Sequence, residues 1–266
     1  MSKQYHYEWL TTYLPSQPTV VCLHGFTGTL NTFKSLAFSD KYNYLGIDLI
    51  GHGQSESYVH PENYRMEQVV EALRHLLVEL AIPSYYLLGY SMGGRVALAW
   101  ALNDERVQGV ILENASPGLL TMEERVERQL KDERLAKRLL TEPLEAFVDF
   151  WQDLALFDTQ KELSSAIQTK VRQERLSQQN YGLAMSLLMM GTGQQASYWE
   201  ALEHTEQAML YVTGTVDHKF QQIGQQMQDR YPNMQLVALD GGHCVHLENP
   251  VAFVSTVEQW LEEQMR

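Results

Sequence analysis

The sequence predicts an α/β fold: a mostly parallel sheet flanked by helices, with a helical cap inserted into it. Three observations carry this. Short apolar runs alternate with helical stretches through residues 1–117, the pattern of successive βα units. After Pro117-Gly118 the runs stop, and about 80 residues pass without a convincing strand, which favours an inserted cap over the alternative of ordinary crossover helices. From about residue 208 the βα rhythm resumes and holds to the end. The expected division is a first core segment 1–117, a cap 118–200 and a second core segment 201–266.

Each element has its own reason. Tyr5 to Trp9 has the look of a short edge strand. Thr19 to Leu23 (Thr-Val-Val-Cys-Leu) is apolar throughout, as a strand covered on both faces must be. A turn-rich His24-Gly25-Phe26-Thr27-Gly28 follows it, and Tyr42 to Asp48 gives the next strand. Met66 to Leu80 carries Val69, Val70, Leu73, Leu76, Leu77 and Leu80 at helical spacing, and Pro83 stops it. Tyr85 to Leu88 and Val107 to Leu112 are further strands. In the cap, helices are expected over Met122 to Leu140, Leu144 to Phe157, Leu163 to Leu176 and Tyr181 to Met190. Ala208 to Val212 and Met234 to Leu239 are the last strands, with helices at Phe220 to Tyr231 and from Pro250 to about Gln264.

Between Tyr85 and Leu102 the chain passes from strand to helix through Gly89-Tyr90-Ser91-Met92-Gly93-Gly94, with the helix expected from Gly94. Small residues either side of a serine allow a sharp turn that lifts its hydroxyl clear of the sheet, and the helix start behind it offers free N–H groups to developing negative charge. The bland alternative is a Gly/Ser turn without chemistry. A nucleophilic serine needs a base, and the base needs a partner that fixes its tautomer. Asp217 follows a strand end, and His243 follows Gly241-Gly242 in the loop after the next strand. Glu113, also at a strand end, competes for the acid role, and His246 for the base; Asp217 and His243 are preferred. The order Ser91, Asp217, His243 is that of the α/β-hydrolase fold, with all three at the carboxyl edge of the sheet. An oxyanion hole would then draw one backbone N–H from Met92 and one from Phe26.

The net charge of −13 argues against nucleic acid or an anionic membrane as partner. Two cysteines, Cys22 and Cys244, make no disulfide framework. No run is long and apolar enough to span a bilayer, and the first residues lack the pattern of a signal peptide, so a cytoplasmic location is expected. His24 and His52 lack metal-ligand spacing and no dinucleotide or phosphate-loop motif is present; no metal and no cofactor are expected. A monomer and a weak homodimer are equally compatible with the composition.

Along its whole length the chain resembles the α/β-hydrolase superfamily, and within it the menaquinone-pathway 2-succinyl-6-hydroxy-2,4-cyclohexadiene-1-carboxylate synthases. The elbow Gly89 to Arg95, with Arg directly after Gly-Gly, is similar to theirs, as are Arg128-Gln-Leu-Lys-Asp132, Phe147-Val-Asp-Phe-Trp151, Val171 to Gln178 and Gly242 to Pro250. One departure is Thr215, where the family commonly has Glu; Asp217, Lys219 and Phe220 keep their places. The resemblance implies a lyase that removes a ring proton and expels pyruvate without cofactor, Ser91 acting as base. It also implies that Tyr90, Arg95, Arg128, Trp151 and Arg175 bind a small polycarboxylate, a role guanidinium forks suit. The alternative for the cap arginines is a solvated helix face laced with weak ion pairs. A carboxylesterase or carbon–carbon bond hydrolase is the rival function on the same fold.

Overall fold

The computed structural model describes residues 4–266. Its strands are β1 (Tyr7–Trp9), β2 (Thr19–Leu23), β3 (Asn43–Ile47), β4 (Tyr85–Tyr90), β5 (Val107–Glu113), β6 (Met209–Gly214) and β7 (Gln235–Leu239). They form one sheet in the order β1-β3-β2-β4-β5-β6-β7. Only the edge strand β1 runs antiparallel, against β3. From β2 the chain crosses one way to β3 and then back to β4, so strand order reverses at the β2–β4 pair. Open α/β sheets place their ligand sites in the crevice that such a reversal leaves at the carboxyl ends.

The helices are α1 (Asn31–Lys34), α2 (Met66–Glu79), α3 (Met92–Ala101), α4 (Met122–Thr141), α5 (Leu144–Gln152), α6 (Ser165–Leu176), α7 (Asn180–Met190), α8 (Trp199–Leu202), α9 (His218–Arg230), α10 (Val245–Glu248) and α11 (Pro250–Gln264). Alternate residues of the central strands feed two cores, as the period of a strand requires. Val21, Leu23, Leu45 and Leu87 pack with Leu73, Leu77, Val96 and Trp100 from α2 and α3. Val20, Cys22, Tyr44 and Leu88 pack with Phe253, Val257 and Trp260 from α11. Each fully buried Leu or Phe contributes ~1.5–3 kcal/mol. Between β5 and β6 the chain is helical. Those helices have a small core of their own around Leu139, Phe147, Leu183 and Leu187, which reaches the rest of the protein through Phe26 and Trp151.

Two expected elements differ. The helix expected over Leu144 to Phe157 ends at Gln152; Leu154 is extended at ψ 139°, and a 3-10 segment Ala155–Glu162 follows. The break turns Phe157 away from the α5 direction and brings its ring 6.3 Å from that of His243. The helix after Ser91 begins at Met92, with Ser91 itself in the N-cap position. That cap position puts two further N–H groups beside the serine.

Below the crevice lie two buried imidazoles. His24 Nδ1–H donates to the Gly25 carbonyl (2.8 Å) while its Nε2 accepts from the Leu49 N–H (2.9 Å), which fixes the neutral tautomer. His52 donates to the Ile50 carbonyl (3.1 Å), and its buried Nε2 has no partner. Burial pulls His24 down to about 4. Burial, and then the charge on His24, pull His52 down to about 3. The unfolded chain protonates both near the ordinary value of 6.5. Between those limits it takes up protons the native state refuses, so stability is full above pH 6.5 and is lost as pH falls below it. We predict a loss approaching ~1.4 kcal/mol per pH unit for each imidazole. Asp48, pushed up by burial, offsets part of it at the acid end. Denaturant midpoints measured across this range should fall more steeply in the wild type than in His52→Asn; parallel slopes would refute the assignment.

Candidate active site

Ser91 sits at φ 50° and ψ −106°, a region that costs a non-glycine residue ~1–3 kcal/mol. The turn has room for nothing larger than glycine on either side. A Cβ on Gly89 would fall 2.5 Å from Gly94 Cα, and one on Gly93 would overlap the backbone of Leu23 and His24. The Ser91 N–H donates to the Glu113 carbonyl of the neighbouring strand (2.9 Å). His243 Nε2 lies 3.2 Å from Ser91 Oγ, and His243 Nδ1 lies 2.7 Å from Asp217 Oδ2. Asp217 is also the N-cap of α9, its Oδ1 accepting from the Phe220 N–H (3.3 Å). One carboxylate thus starts a helix and orients an imidazole.

The two rivals of this trio bond to each other instead. The Glu113 carboxylate accepts from the backbone N–H of His246 (3.0 Å) and from its Nδ1 (2.7 Å to Oε2), and both residues are buried. The next residue, Asn114, donates from Nδ2 to the His243 carbonyl (2.8 Å). The end of β5 therefore holds the serine turn through one carbonyl and the histidine loop through two side chains. Tyr90 stands between the two imidazoles, its ring 5.5 Å from His243 and 4.7 Å from His246.

Ser91 and His243 open into a chamber of about 320 Å³ also lined by Met92, Arg95, Arg128 and Trp151. Arg95, 8% exposed, donates to the Met190 carbonyl (2.8 Å) and Gln195 Oε1 (2.9 Å) and has no carboxylate partner. Burial first, then the Arg128 charge, bring it down to about 10, so it stays cationic at neutral pH. Arg128 Nε donates to Asp132 Oδ1 (2.9 Å); Asp132 is 2% exposed and its other oxygen has no partner. Burial raises the Asp132 carboxyl, and Arg128 and Arg95 oppose the rise. The Trp151 ring meets Phe26 edge-on at 5.1 Å, and its indole N–H is buried without a partner.

Arg175 does not share that chamber. It lines a second one of about 270 Å³, walled from the first by Phe26, Tyr90 and Phe157. It is 7% exposed, lies 4.8 Å over the Phe157 ring and donates to Gln160 Oε1 (3.0 Å). Lys219, which the motif comparison notes but does not place among the site residues, lines the Ser91 chamber. Its only sequence signal is its position two residues after Asp217.

Since Glu113 joins the serine strand to the histidine loop, Glu113→Gln should reduce kcat roughly 10- to 100-fold with little change in KM. It should also cost ~1–3 kcal/mol of stability. Steady-state kinetics with thermal melts test this; unchanged kcat in a destabilised variant would make the pair purely structural.

The α/beta hydrolase fold family model matches residues 18–250. A Bacillus subtilis (strain 168) protein, "Putative 2-succinyl-6-hydroxy-2,4-cyclohexadiene-1-carboxylate synthase", is 37% identical over 91% of this chain and 89% of its own. The 2-succinyl-6-hydroxy-2,4-cyclohexadiene-1-carboxylate synthase of Pectobacterium atrosepticum is 31% identical over 95% and 97%. The solved structure of MenH from S. aureus superposes with a TM-score of 0.93 at 34% identity, covering 98% of this chain and 99% of that one. With whole-length likeness at this identity, the chain belongs to the α/β-hydrolase fold family and, within it, to the 2-succinyl-6-hydroxy-2,4-cyclohexadiene-1-carboxylate synthases.

Proposed function

We propose that this chain is a carbon–oxygen lyase of menaquinone biosynthesis. It eliminates pyruvate from 2-succinyl-5-enolpyruvyl-6-hydroxy-3-cyclohexene-1-carboxylate, leaving 2-succinyl-6-hydroxy-2,4-cyclohexadiene-1-carboxylate. The observation that carries the reading is a serine–histidine–aspartate chain opening into a chamber lined by arginines, in a protein of net charge −13. Such a chamber suits a polyanion against the field of the whole molecule.

His243 Nε2 takes the Ser91 hydroxyl proton, and Asp217 holds the imidazole tautomer and balances its charge. Ser91 Oγ then removes the ring proton beside the succinyl carbonyl. Charge moves onto that carbonyl oxygen, where the N–H groups of Met92 and Phe26 receive it. As it returns, a double bond forms at the deprotonated carbon, the existing ring double bond moves one carbon along, the carbon–oxygen bond to the enolpyruvyl group breaks, and the leaving enolate takes the proton held on His243 to become pyruvate. Arg95 and Arg128 hold substrate carboxylates in the Ser91 chamber with Trp151 and Tyr90 as walls, and Arg175 holds another from the second chamber. The helical segment 118–200 serves as a cap over the crevice. The enzyme works in the cytoplasm on a soluble substrate; among the described residues no helix is long and apolar enough to cross a membrane.

The test is pyruvate release from the enolpyruvyl intermediate, generated in situ by the upstream synthase from isochorismate and 2-oxoglutarate and followed with a coupled dehydrogenase against a no-enzyme blank. Ser91→Ala should lower the rate about 10³-fold or more. Arg175→Ala should lose ~1.5–3 kcal/mol in kcat/KM. A rate equal to the blank, from protein that still cleaves simple esters, would leave an esterase.

A further inference from the structure

Lys219 stands at the Ser91 chamber without a counter-ion. Among the described lysines, Lys34, Lys41, Lys131 and Lys161 each hold a carboxylate, and Lys137 and Lys170, which line no part of this chamber, hold none. Among the described residues Lys219 forms no ion pair, although the chain carries 33 acidic residues against 20 basic ones. It is the second residue of α9, so its place is fixed by the same cap that orients Asp217. Its ammonium lies 5.3 Å from the centre of the Phe220 ring, and that ring lies 4.7 Å from His243. The cation is thus within one aromatic ring of the imidazole that faces Ser91.

The surrounding charge gives this position a purpose. Arg95, Arg128 and Lys219 line one chamber, and among the described residues Glu124 is its only acidic lining residue. One oxygen of the Glu124 carboxylate, Oε2, is held at the start of α4, accepting from the Leu120 N–H (3.1 Å) and the Thr121 N–H (3.0 Å). Arg128 forms an ion pair with Asp132, whereas among the described residues neither Arg95 nor Lys219 forms one. Lys219 is an exposed residue at the chamber, and desolvation of its ammonium, then repulsion from Arg128 and more weakly from Lys131 on α4, lower it from the ordinary lysine value; Asp217 acts the other way. An incoming carboxylate would add to the counter-charge of Asp217 and further relieve that repulsion.

We propose that Lys219 binds substrate: its ammonium takes one carboxylate of the polyacid, facing Arg95 and Arg128 across the Ser91 chamber. The three cations come from three elements, α3, α4 and α9, so a ligand held by all of them is gripped between the cap and the sheet. A neutral ester gains nothing from this arrangement, which makes Lys219 a determinant of selectivity for polycarboxylates. The inference rests on the lyase reading of the same chamber.

The experiment compares pyruvate release by wild type, Lys219→Met and Lys219→Arg over a range of KCl concentrations, alongside calorimetric titration with citrate as a tricarboxylate probe. Loss of one charge-assisted hydrogen bond should raise KM for Lys219→Met about 10- to 100-fold, with a smaller effect on kcat. Lys219→Arg should recover most of the loss, and the rise of KM with salt should be shallower in the methionine variant. An unchanged KM and salt dependence in Lys219→Met, beside an active wild type, would overturn the proposal. If the wild type releases no pyruvate, the lyase reading falls instead, and citrate then decides Lys219: weaker binding to Lys219→Met supports it, equal binding refutes it.

Discussion

The site depends on one backbone conformation, the left-handed turn at Ser91. A serine does not adopt φ 50° unless its surroundings leave it no other choice. Here β4 and α3 are buried along their whole length, six and ten residues respectively. The burial of those side chains far exceeds the cost of one strained residue. Gly89 and Gly93 let the strand end and helix start touch, and the Ser91 N–H is bonded across to β5. The hydroxyl is therefore aimed by packing on both sides of the sheet, and His243 has only to reach it.

That second alignment is the work of β5. Register decides it: Tyr90 of β4 lies opposite Glu113 of β5, so the residue before Ser91 and the residue that holds the histidine loop are neighbours. Glu113 and Asn114 fix the loop at His246 and at the His243 carbonyl. Asn114 adopts φ 45° to do so, a second left-handed residue at the end of a second central strand. Strain at both strand ends is concentrated where Ser91 meets His243, and the buried sheet beneath supports it.

Strands, strand order along the chain and the Ser91, Asp217, His243 order were legible because apolar runs and glycine turns leave local marks. Which acid serves which histidine left a weaker mark, the Gly241-Gly242 turn before His243. Asp217 and Glu113 both end strands, and His243 and His246 are three residues apart. Only the sheet sets β5 beside β4 and β6 beyond it, which delivers Glu113 to His246 and leaves Asp217 facing His243. The break after Gln152 was invisible for a related reason. Its sequence is compatible with helix, and the extended Leu154 is imposed by where Phe157 must pack, between Trp151 and Arg175. Lys219 carried no signal beyond its motif, since an unpaired lysine is recognisable only once its neighbours are known.

The stretch Val171 to Gln178 combines two tasks that its sequence does not separate. Glu174 accepts from the Thr29 N–H (2.8 Å) and hydroxyl (2.7 Å). Gln178 accepts from the Gly53 N–H (3.0 Å) and donates to the Thr27 and Gly28 carbonyls. These bonds tie the end of α6 and the residues just past it to the loop after β2, which carries Phe26, and, through Gly53, to the loop after β3. Arg175, between them in sequence, turns into the second chamber. One helical turn thus sets both the seat of the cap on the sheet and the position of a buried cation behind Tyr90. A ligand that engages Arg175 must also sense the register of that joint, because the guanidinium cannot shift without drawing on the bonds made by its neighbours. Two chambers sharing the walls Phe26, Tyr90 and Phe157 then amount to one site read at two points. Ser91 and His243 are aligned by the strained turn at one of these points, and the buried Arg175 guanidinium is held at the other by α6.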